Sequence, residues 1–249
     1  MQNTYTLKEN MHLCFFGLVF MLIYLNFENI SIIVFFLVVN MLFVGNLRHL
    51  RSEKFNNSNF FLLLRRSFYI IPLVLPYIIL PGLNLVSYFK TNILFLFIGF
   101  LIGLILILPK WKTWNTFLSN DFLIELPKRS KIDVWVLVFV YFFGAIFEEL
   151  FYRLFIYQSL IESPFVLTLI ISTLFFLFHH YATPWGQAFK TYDFIIQILI
   201  SIISMCFLYF TNSIIPSLVL HLTYNGPHIL MYIKYLLIHR EMGSVNIEG

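Results

Sequence analysis

The feature that most constrains this chain is a succession of apolar runs, each about long enough to cross a lipid bilayer. A helix that spans the hydrocarbon core needs roughly 20 mostly apolar residues, with a range of about 17–25. The candidate runs are 12–27, 29–47, 67–89, 92–109, 133–157, 164–181, 193–211 and 213–238. They predict an all-α fold, a polytopic transmembrane helix bundle of about eight spans.

Composition excludes a water-soluble domain. Hydrophobic residues make up 60% of the 249 residues and charged residues 11%, against roughly 45–50% and about 25% in soluble domains. A soluble fold of this size would have to expose too much apolar surface, because its surface is large relative to its volume. The expected partner of most of the chain is therefore membrane lipid.

The basic residues are placed as in the cytoplasmic loops of a membrane protein. Ten of the 16 Lys and Arg residues lie in two stretches, 48–66 and 110–131, between apolar runs. The positive-inside rule puts both stretches in the cytoplasm, and with eight spans both termini lie there too. The net charge of +4 therefore does not indicate a nucleic-acid partner. The predicted location is the cell membrane, and the many Phe, Ile, Asn and Lys residues favour a bacterial plasma membrane.

Several local signals refine the predicted spans. Pro72, Pro76 and Pro81 predict kinks in the third span, because each ring removes a backbone donor. Gly99 and Gly103 form a small-xxx-small pair that predicts a helix-packing seam. The mixed aromatic and polar residues of 111–126 predict a segment lying along the cytoplasmic interface.

The fifth span carries an E-E-x-x-x-R string, which is costly in lipid. Each charged group at a span centre costs around 2.5–3.5 kcal/mol on insertion scales. Glu149 and Arg153 are four residues apart on one helical face and can neutralise each other. Glu148 lies about 100° around the helix and gains no such partner within the motif. A second carboxyl group is thus left over for general acid/base chemistry.

Two further spans carry histidines. The sixth ends in His179 and His180, and the eighth places His221 and Asn225 four residues apart on one face. A histidine donates, accepts or binds metal, and an asparagine amide can donate to an oxyanion. One carboxylate, two histidines and an amide that converge in a dry cavity would form a hydrolytic site.

Structural roles compete with this interpretation. A single His or Asn in a span more often forms a helix–helix hydrogen bond than acts as a catalyst. A Glu–Arg pair alone is a buried structural bridge about as often as it is part of a functional site. The combination of Glu148 with two His sites and Asn225 favours the hydrolytic interpretation.

The pattern resembles the CPBP family of intramembrane proteases, which includes the type II CAAX prenyl endopeptidases and their bacterial relatives. That family shows E-E-x-x-x-R, then F-x-x-x-H, then H-x-x-x-N on separate helices. Here Phe176 with His180 and Phe175 with His179 both fit the second motif, and Ser172, eight residues before His180, favours His180. The resemblance covers residues 133–230. Two departures are Phe178-His179 just before the second-motif histidine and Gly226-Pro227 after Asn225, which predicts a break in the eighth helix.

The resemblance implies hydrolysis of a peptide bond in the membrane. Glu148 and His180 would activate water, His221 and Asn225 would stabilise the oxyanion, and Glu149 with Arg153 would position the helix. A metal is not firmly implied. Glu148, His180 and His221 could supply three ligands to Zn²⁺, whereas the absence of a short H-x-x-x-H spacing favours water activated by glutamate alone.

These arguments divide the chain into N-terminal helices and loops without a family signature (1–132), CPBP-like catalytic helices (133–238) and a cytoplasmic tail (239–249). The expected substrate is a membrane-associated peptide or protein, of the kind matured in pheromone or bacteriocin processing. A non-catalytic membrane scaffold or regulator is the alternative, and a proton-coupled transporter a weaker one.

The eight-span topology contains one conflict. It places Glu148 on the order of 22 Å into a span entered from the cytoplasm, but His180 at a cytoplasmic helix end. The two residues must meet if they share a site, so a tilt, a kink or a different span count is required.

Overall fold

A computed structural model describes residues 28–46, 59–182 and 191–245. Within these ranges all regular structure is helical and no strand occurs, which confirms the all-α prediction. The predicted span 12–27 lies outside the described residues, as do most of the predicted loop 48–66 and the last residues of the predicted tail.

The first two described helices form the N-terminal part of the bundle. They are α1 (Glu28–Asn46) and α2 (Asn59–Ile79), which pack against each other. The predicted span 67–89 is wrong at its C-terminal end, since α2 stops at Ile79 and only a short 3₁₀ turn follows at Val86–Phe89. The stop has a local cause. Pro81 has no N–H to donate and disfavours a helical conformation in the residue before it, and Gly82 then turns the chain with φ +97°, which glycine adopts without steric cost.

The next segment joins a spanning helix to an amphipathic stretch. Helix α3 (Ile93–Ile107) continues through a 3₁₀ turn into α4 (Trp111–Phe117), and α5 (Asn120–Glu125) follows. Helix α3 begins with an N-cap bond from the Leu94 N–H to the Asn92 side chain. The segment predicted along the interface therefore forms two short helices, and α5 packs against the last helix of the chain.

The helix that carries the E-E-x-x-x-R string is long and irregular. Helix α6 (Lys131–Ser159) begins after the N-cap Ser130, whose side chain accepts from the Asp133 N–H. Its stretch Leu150–Phe155 is π-helical and fully buried. A turn over 160–164 leads to α7 (Phe165–Ala182), which ends just after the two histidines.

The last two helices complete the bundle. They are α8 (Thr191–Thr211) and α9 (Ile215–Val245), joined by a turn in which Asn212 has φ 48°. The predicted break at Gly226-Pro227 is wrong, because α9 continues through Pro227. Proline is tolerated inside membrane helices where neighbouring groups satisfy the freed carbonyl.

Three described helical segments are long and apolar enough to cross a membrane, namely Ile93–Phe117, Lys131–Ser159 and Thr191–Thr211. Shorter apolar helices occupy Ile30–Leu42, Phe68–Ile79 and Phe165–His180. The positions of the described helices follow the predicted runs, while the count of eight spans stays a prediction.

Contacts at the two ends of the bundle fix which helix ends lie together. At one end Gln158 bonds to Asn84, and the Ile214 N–H donates to the Tyr88 carbonyl over 2.9 Å. At the other end Lys110 pairs with Asp193. Consecutive long helices therefore run antiparallel, and the turns 80–92, 160–164 and 212–214 share one end of the bundle.

Candidate active site

Glu148 is buried at the centre of a cluster built from three helices. It lies on α6 with 4% of its surface exposed. Its Oε2 is 3.5 Å from His180 Nε2 on α7 and 3.8 Å from His221 Nε2 on α9. The structure thus brings together the carboxyl group that the motif left without a partner and the two histidines predicted to join it.

The hydrogen bonds of the two histidines fix which ring nitrogen carries a proton. His180 Nδ1 lies 3.0 Å from the Phe176 carbonyl and His221 Nδ1 lies 2.8 Å from Glu149 Oε1. Both partners only accept, so each Nδ1 must donate. In its neutral form each ring therefore turns an unprotonated Nε2 toward Glu148 Oε2. Three acceptor atoms converge on one small volume, which suits a hydrogen-bond donor such as water.

The other oxygen of Glu148 faces Tyr69, which the sequence motifs did not identify, and through it His179, the alternative histidine of the second motif. The Tyr69 hydroxyl on α2 donates to Glu148 Oε1, and His179 Nε2 lies 2.9 Å from the same hydroxyl. His179 Nδ1 in turn lies 3.3 Å from Asn40 Nδ2 on α1. Both members of the His179-His180 pair therefore face Glu148, one directly and one through Tyr69.

Glu149 and Arg153 form the ion pair predicted from their spacing. Arg153 Nε lies 3.4 Å from Glu149 Oε2, and both side chains are fully buried. This contact has the separation of an ion pair without hydrogen-bond geometry, since neither atom has a hydrogen-bond partner among the described residues. The guanidinium also lies 4.0 Å above the Phe176 ring. Glu149 thus connects Arg153 to His221.

Asn225 lies one turn beyond His221 on α9, as the spacing predicts, but it is not in contact with Glu148. Its Nδ2 donates to the Tyr141 carbonyl over 3.1 Å. Tyr141 is two turns before Glu148 on α6, about 10 Å along the axis. Asn225 therefore lies on the same face as His221 at the edge of the cluster, and its catalytic role stays a prediction.

The lengths of α6 and α7 resolve the conflict over depth. Both helices leave the turn 160–164, and from there Glu148 is about 11 residues along α6 while His180 is about 15 along α7. At the rise of a helix these positions lie within roughly one turn of each other. Helix α7 ends at Ala182, so His180 is near the end of a short helix and still level with Glu148.

A metal ion at the cluster would have to be held by these same carboxylate and histidine side chains. Among the described residues no group of three or more His, Cys, Asp and Glu side chains has the arrangement of a metal site. The Zn²⁺ set of Glu148, His180 and His221 stays a prediction.

The fold and the cluster define a class of protein: a helical membrane protein with a carboxylate and histidines gathered inside its bundle. The family model described as type II CAAX prenyl endopeptidase Rce1-like matches residues 130–226. This match confirms the resemblance, because the matched region holds Glu148, Glu149, Arg153, His180, His221 and Asn225. Residues 130–226 are therefore similar to a family of membrane-embedded proteases.

The match covers about two fifths of the chain. No curated protein matches the chain, and no solved structure matches it. Tyr69 and Asn40 lie outside the matched region.

Proposed function

We propose that this protein is an intramembrane endopeptidase that hydrolyses a peptide bond with water activated by Glu148. One observation carries the proposal: His180 Nε2 and His221 Nε2, on two other helices, lie 3.5 Å and 3.8 Å from Glu148 Oε2. A structural hydrogen bond needs one donor and one acceptor. Three convergent acceptors instead suit a water molecule whose protons they can receive.

The proposed reaction has two steps. Glu148 Oε2, with His180 beside it, takes a proton from water as the water oxygen bonds to the carbonyl carbon of the substrate. The resulting tetrahedral intermediate carries an oxyanion. The proton then passes from Glu148 to the leaving nitrogen as the C–N bond breaks, which releases a carboxylic acid and an amine and returns Glu148 to its carboxylate form.

Stabilisation of the oxyanion is assigned to His221 and Asn225. In its neutral form His221 accepts from water at Nε2, and in its imidazolium form the same atom donates to the oxyanion. In both forms Glu149 holds its Nδ1–H at 2.8 Å, as in a carboxylate-oriented histidine. Asn225 lies one turn away and can donate from Nδ2 if its bond to Tyr141 is exchanged for the substrate.

The proposed substrate is a membrane-associated peptide or the tail of a membrane protein, since the cluster lies inside a bundle of apolar helices. Processing of a pheromone-like or bacteriocin-like peptide belongs to this class. The proposed setting is a bacterial plasma membrane, with eight spans, both termini in the cytoplasm and lipid as the surrounding partner.

The test compares membrane peptides from cells that produce the wild type or Glu148→Gln. Glu148→Gln keeps the size of the side chain but removes the base, so we expect specific peptide products to disappear and their precursors to accumulate. Glu162→Gln is the matched control, because Glu162 lies in the turn between α6 and α7, away from the cluster. It should leave the products unchanged.

Identical peptide profiles for the wild type and Glu148→Gln would contradict the proposal and favour a non-catalytic scaffold. Treating the isolated wild-type membranes with a zinc chelator separates the two forms of the hydrolytic site. Product formation should survive the chelator if glutamate alone activates the water, and loss of products that added Zn²⁺ restores would assign Zn²⁺ to the site.

A further inference from the structure

We propose that Tyr69 is a positioning residue for Glu148 and that the N-terminal helices complete the site in this way. The inference rests on the proposed function. Tyr69 lies on α2, far from the E-E-x-x-x-R string in sequence and outside residues 130–226. Its side chain is 5% exposed, and its hydroxyl donates to Glu148 Oε1.

The hydrogen bonds that connect Asn40, His179 and Tyr69 to Glu148 all have the same donor-to-acceptor direction. A tyrosine hydroxyl has one proton, and in Tyr69 that proton goes to Glu148. The contact of 2.9 Å between His179 Nε2 and the hydroxyl therefore has His179 as donor. His179 Nδ1 must then accept, and Asn40 Nδ2 lies 3.3 Å from it. Donors thus run from Asn40 through His179 and Tyr69 to Glu148.

A series of hydrogen bonds like this one is stronger than the same bonds would be in isolation. Each bond polarises the next, so that hydrogen bonds arranged in series strengthen one another in a medium of low dielectric constant. Asn40 is itself held by its second amide proton, which goes to the Tyr152 hydroxyl over 2.9 Å. The chain therefore ties Glu148 to α1, α2 and α7.

The consequence for Glu148 is that its two oxygens become different. The terminal torsion of a glutamate is soft, and rotation about it exchanges the two oxygens. A donor fixed on Oε1 removes this freedom and leaves Oε2 facing His180 and His221. Tyr69 thus selects the oxygen that acts as base without touching the reacting atoms.

The chain offers a matched control on the same helix. Tyr77 also lies on α2 and donates its hydroxyl to α6, but to the Leu150 carbonyl over 2.7 Å. Tyr69→Phe and Tyr77→Phe each remove one hydroxyl that bonds α2 to α6. Only the first hydroxyl touches Glu148.

The experiment uses full-length protein in membranes and the peptide assay above. Products present in the wild type and absent in Glu148→Gln define the cleavage site, and a synthetic peptide with that site is the probe for kcat and KM. We expect Tyr69→Phe to lower kcat roughly 10- to 100-fold, the scale of a misplaced catalytic group, with KM unchanged. Tyr77→Phe should leave both constants close to the wild-type values, because its hydroxyl bonds to the Leu150 carbonyl and not to Glu148.

The outcomes separate the two proposals. If Glu148→Gln abolishes the products and Tyr69→Phe keeps the wild-type kcat, the positioning role is wrong and the proposed function stands. If the two tyrosine variants lose kcat equally, the hydroxyls only hold the helices together and the positioning role is again wrong. If Glu148→Gln changes no product, both proposals fall.

Discussion

The pair formed by Glu149 and Arg153 shows what a charge costs at the centre of this bundle. Both side chains are fully buried, and a buried ion pair often contributes no more stability than apolar residues of the same size. The role of the pair is instead to orient a neighbouring side chain. Glu149 Oε1 accepts from His221 Nδ1, so the pair fixes the ring that faces Glu148.

Removing only one charge of this buried pair should destabilise the protein strongly. Arg153→Met leaves Glu149 as an uncompensated buried carboxylate, and breaking such a pair costs about 3–5 kcal/mol. The double variant Glu149→Gln/Arg153→Met removes both charges. We expect its free energy of unfolding to fall by less than the sum of the two single losses.

Reversible unfolding in detergent micelles, followed by circular dichroism, measures all four proteins of this cycle. Additive losses would mean that Glu149 and Arg153 do not interact, whatever their distance. Activity is a separate measure, because Glu149→Gln also loosens His221.

Residue spacing alone could predict one half of the site and not the other. The i,i+4 relation of Glu149 and Arg153 and the motif positions of His180 and His221 were accessible because they depend on local helix geometry or short patterns. Tyr69 and Asn40 were not. The chain has 14 Tyr residues, and aromatic side chains in a span are ordinary, so only the packing of α2 against α6 identifies Tyr69.

At the scale of the elements, the π-helical stretch of α6 determines what faces the bundle interior. It begins directly after Glu149, and all six of its residues are buried. Within it Tyr152 accepts from Asn40 while Arg153 lies over Phe176, so two adjacent residues both face inward. Wide turns of this kind are frequent at functional sites. The sequence predicted a regular helix here, because a π turn leaves no compositional signal.

A helix-packing seam was predicted at Gly99 and Gly103, and the structure confirms it and shows that α9 is the partner helix. A Cβ added at Gly99 would lie 2.5 Å from the Pro216 carbonyl oxygen, and one at Gly103 would lie 2.6 Å from Thr223 Cβ. These approaches are shorter than real atoms tolerate. Both glycines are needed for α9, which carries His221, to pack closely against α3.

The prediction for this seam is that Gly103→Ala destabilises the protein and weakens catalysis. The added methyl group forces α3 and α9 apart, and overpacking of this kind typically costs 1–3 kcal/mol. Gly226→Ala on α9 is the control, since nothing lies within 4 Å of a Cβ added there. Thermal unfolding of both variants in micelles checks the difference, and equal stability would contradict the close packing.

At the scale of the whole molecule, the site depends on parts of the chain that are far apart in sequence. Glu148 is contacted from α2, α7 and α9, and the family match includes only the last two of these. The all-α class and the approximate helix positions could be predicted from apolar runs. Which helix ends meet, and hence the common depth of Glu148 and His180, follows only from packing.

The arrangement of the helix ends gives a final prediction, on orientation in the membrane. The end that holds the Lys110–Asp193 pair also carries Lys112, Lys128, Arg129, Lys131 and Lys234. The opposite end, with the turns 80–92, 160–164 and 212–214, carries Lys90 and Glu162. The positive-inside rule therefore places the first end in the cytoplasm, and the turn between α6 and α7 outside.

Single cysteines test this orientation in a background where Cys14 and Cys206 are replaced by Ala. A membrane-impermeant maleimide applied to intact cells should label Glu162→Cys, in the outer turn, and should leave Lys128→Cys unlabelled until the membrane is opened. Both positions lie in loops, so the substitutions do not disturb a helix interior. The reverse pattern would invert the bundle and place Glu148 closer to the cytoplasmic surface than to the outer one, which would change the compartment from which a substrate reaches the cluster.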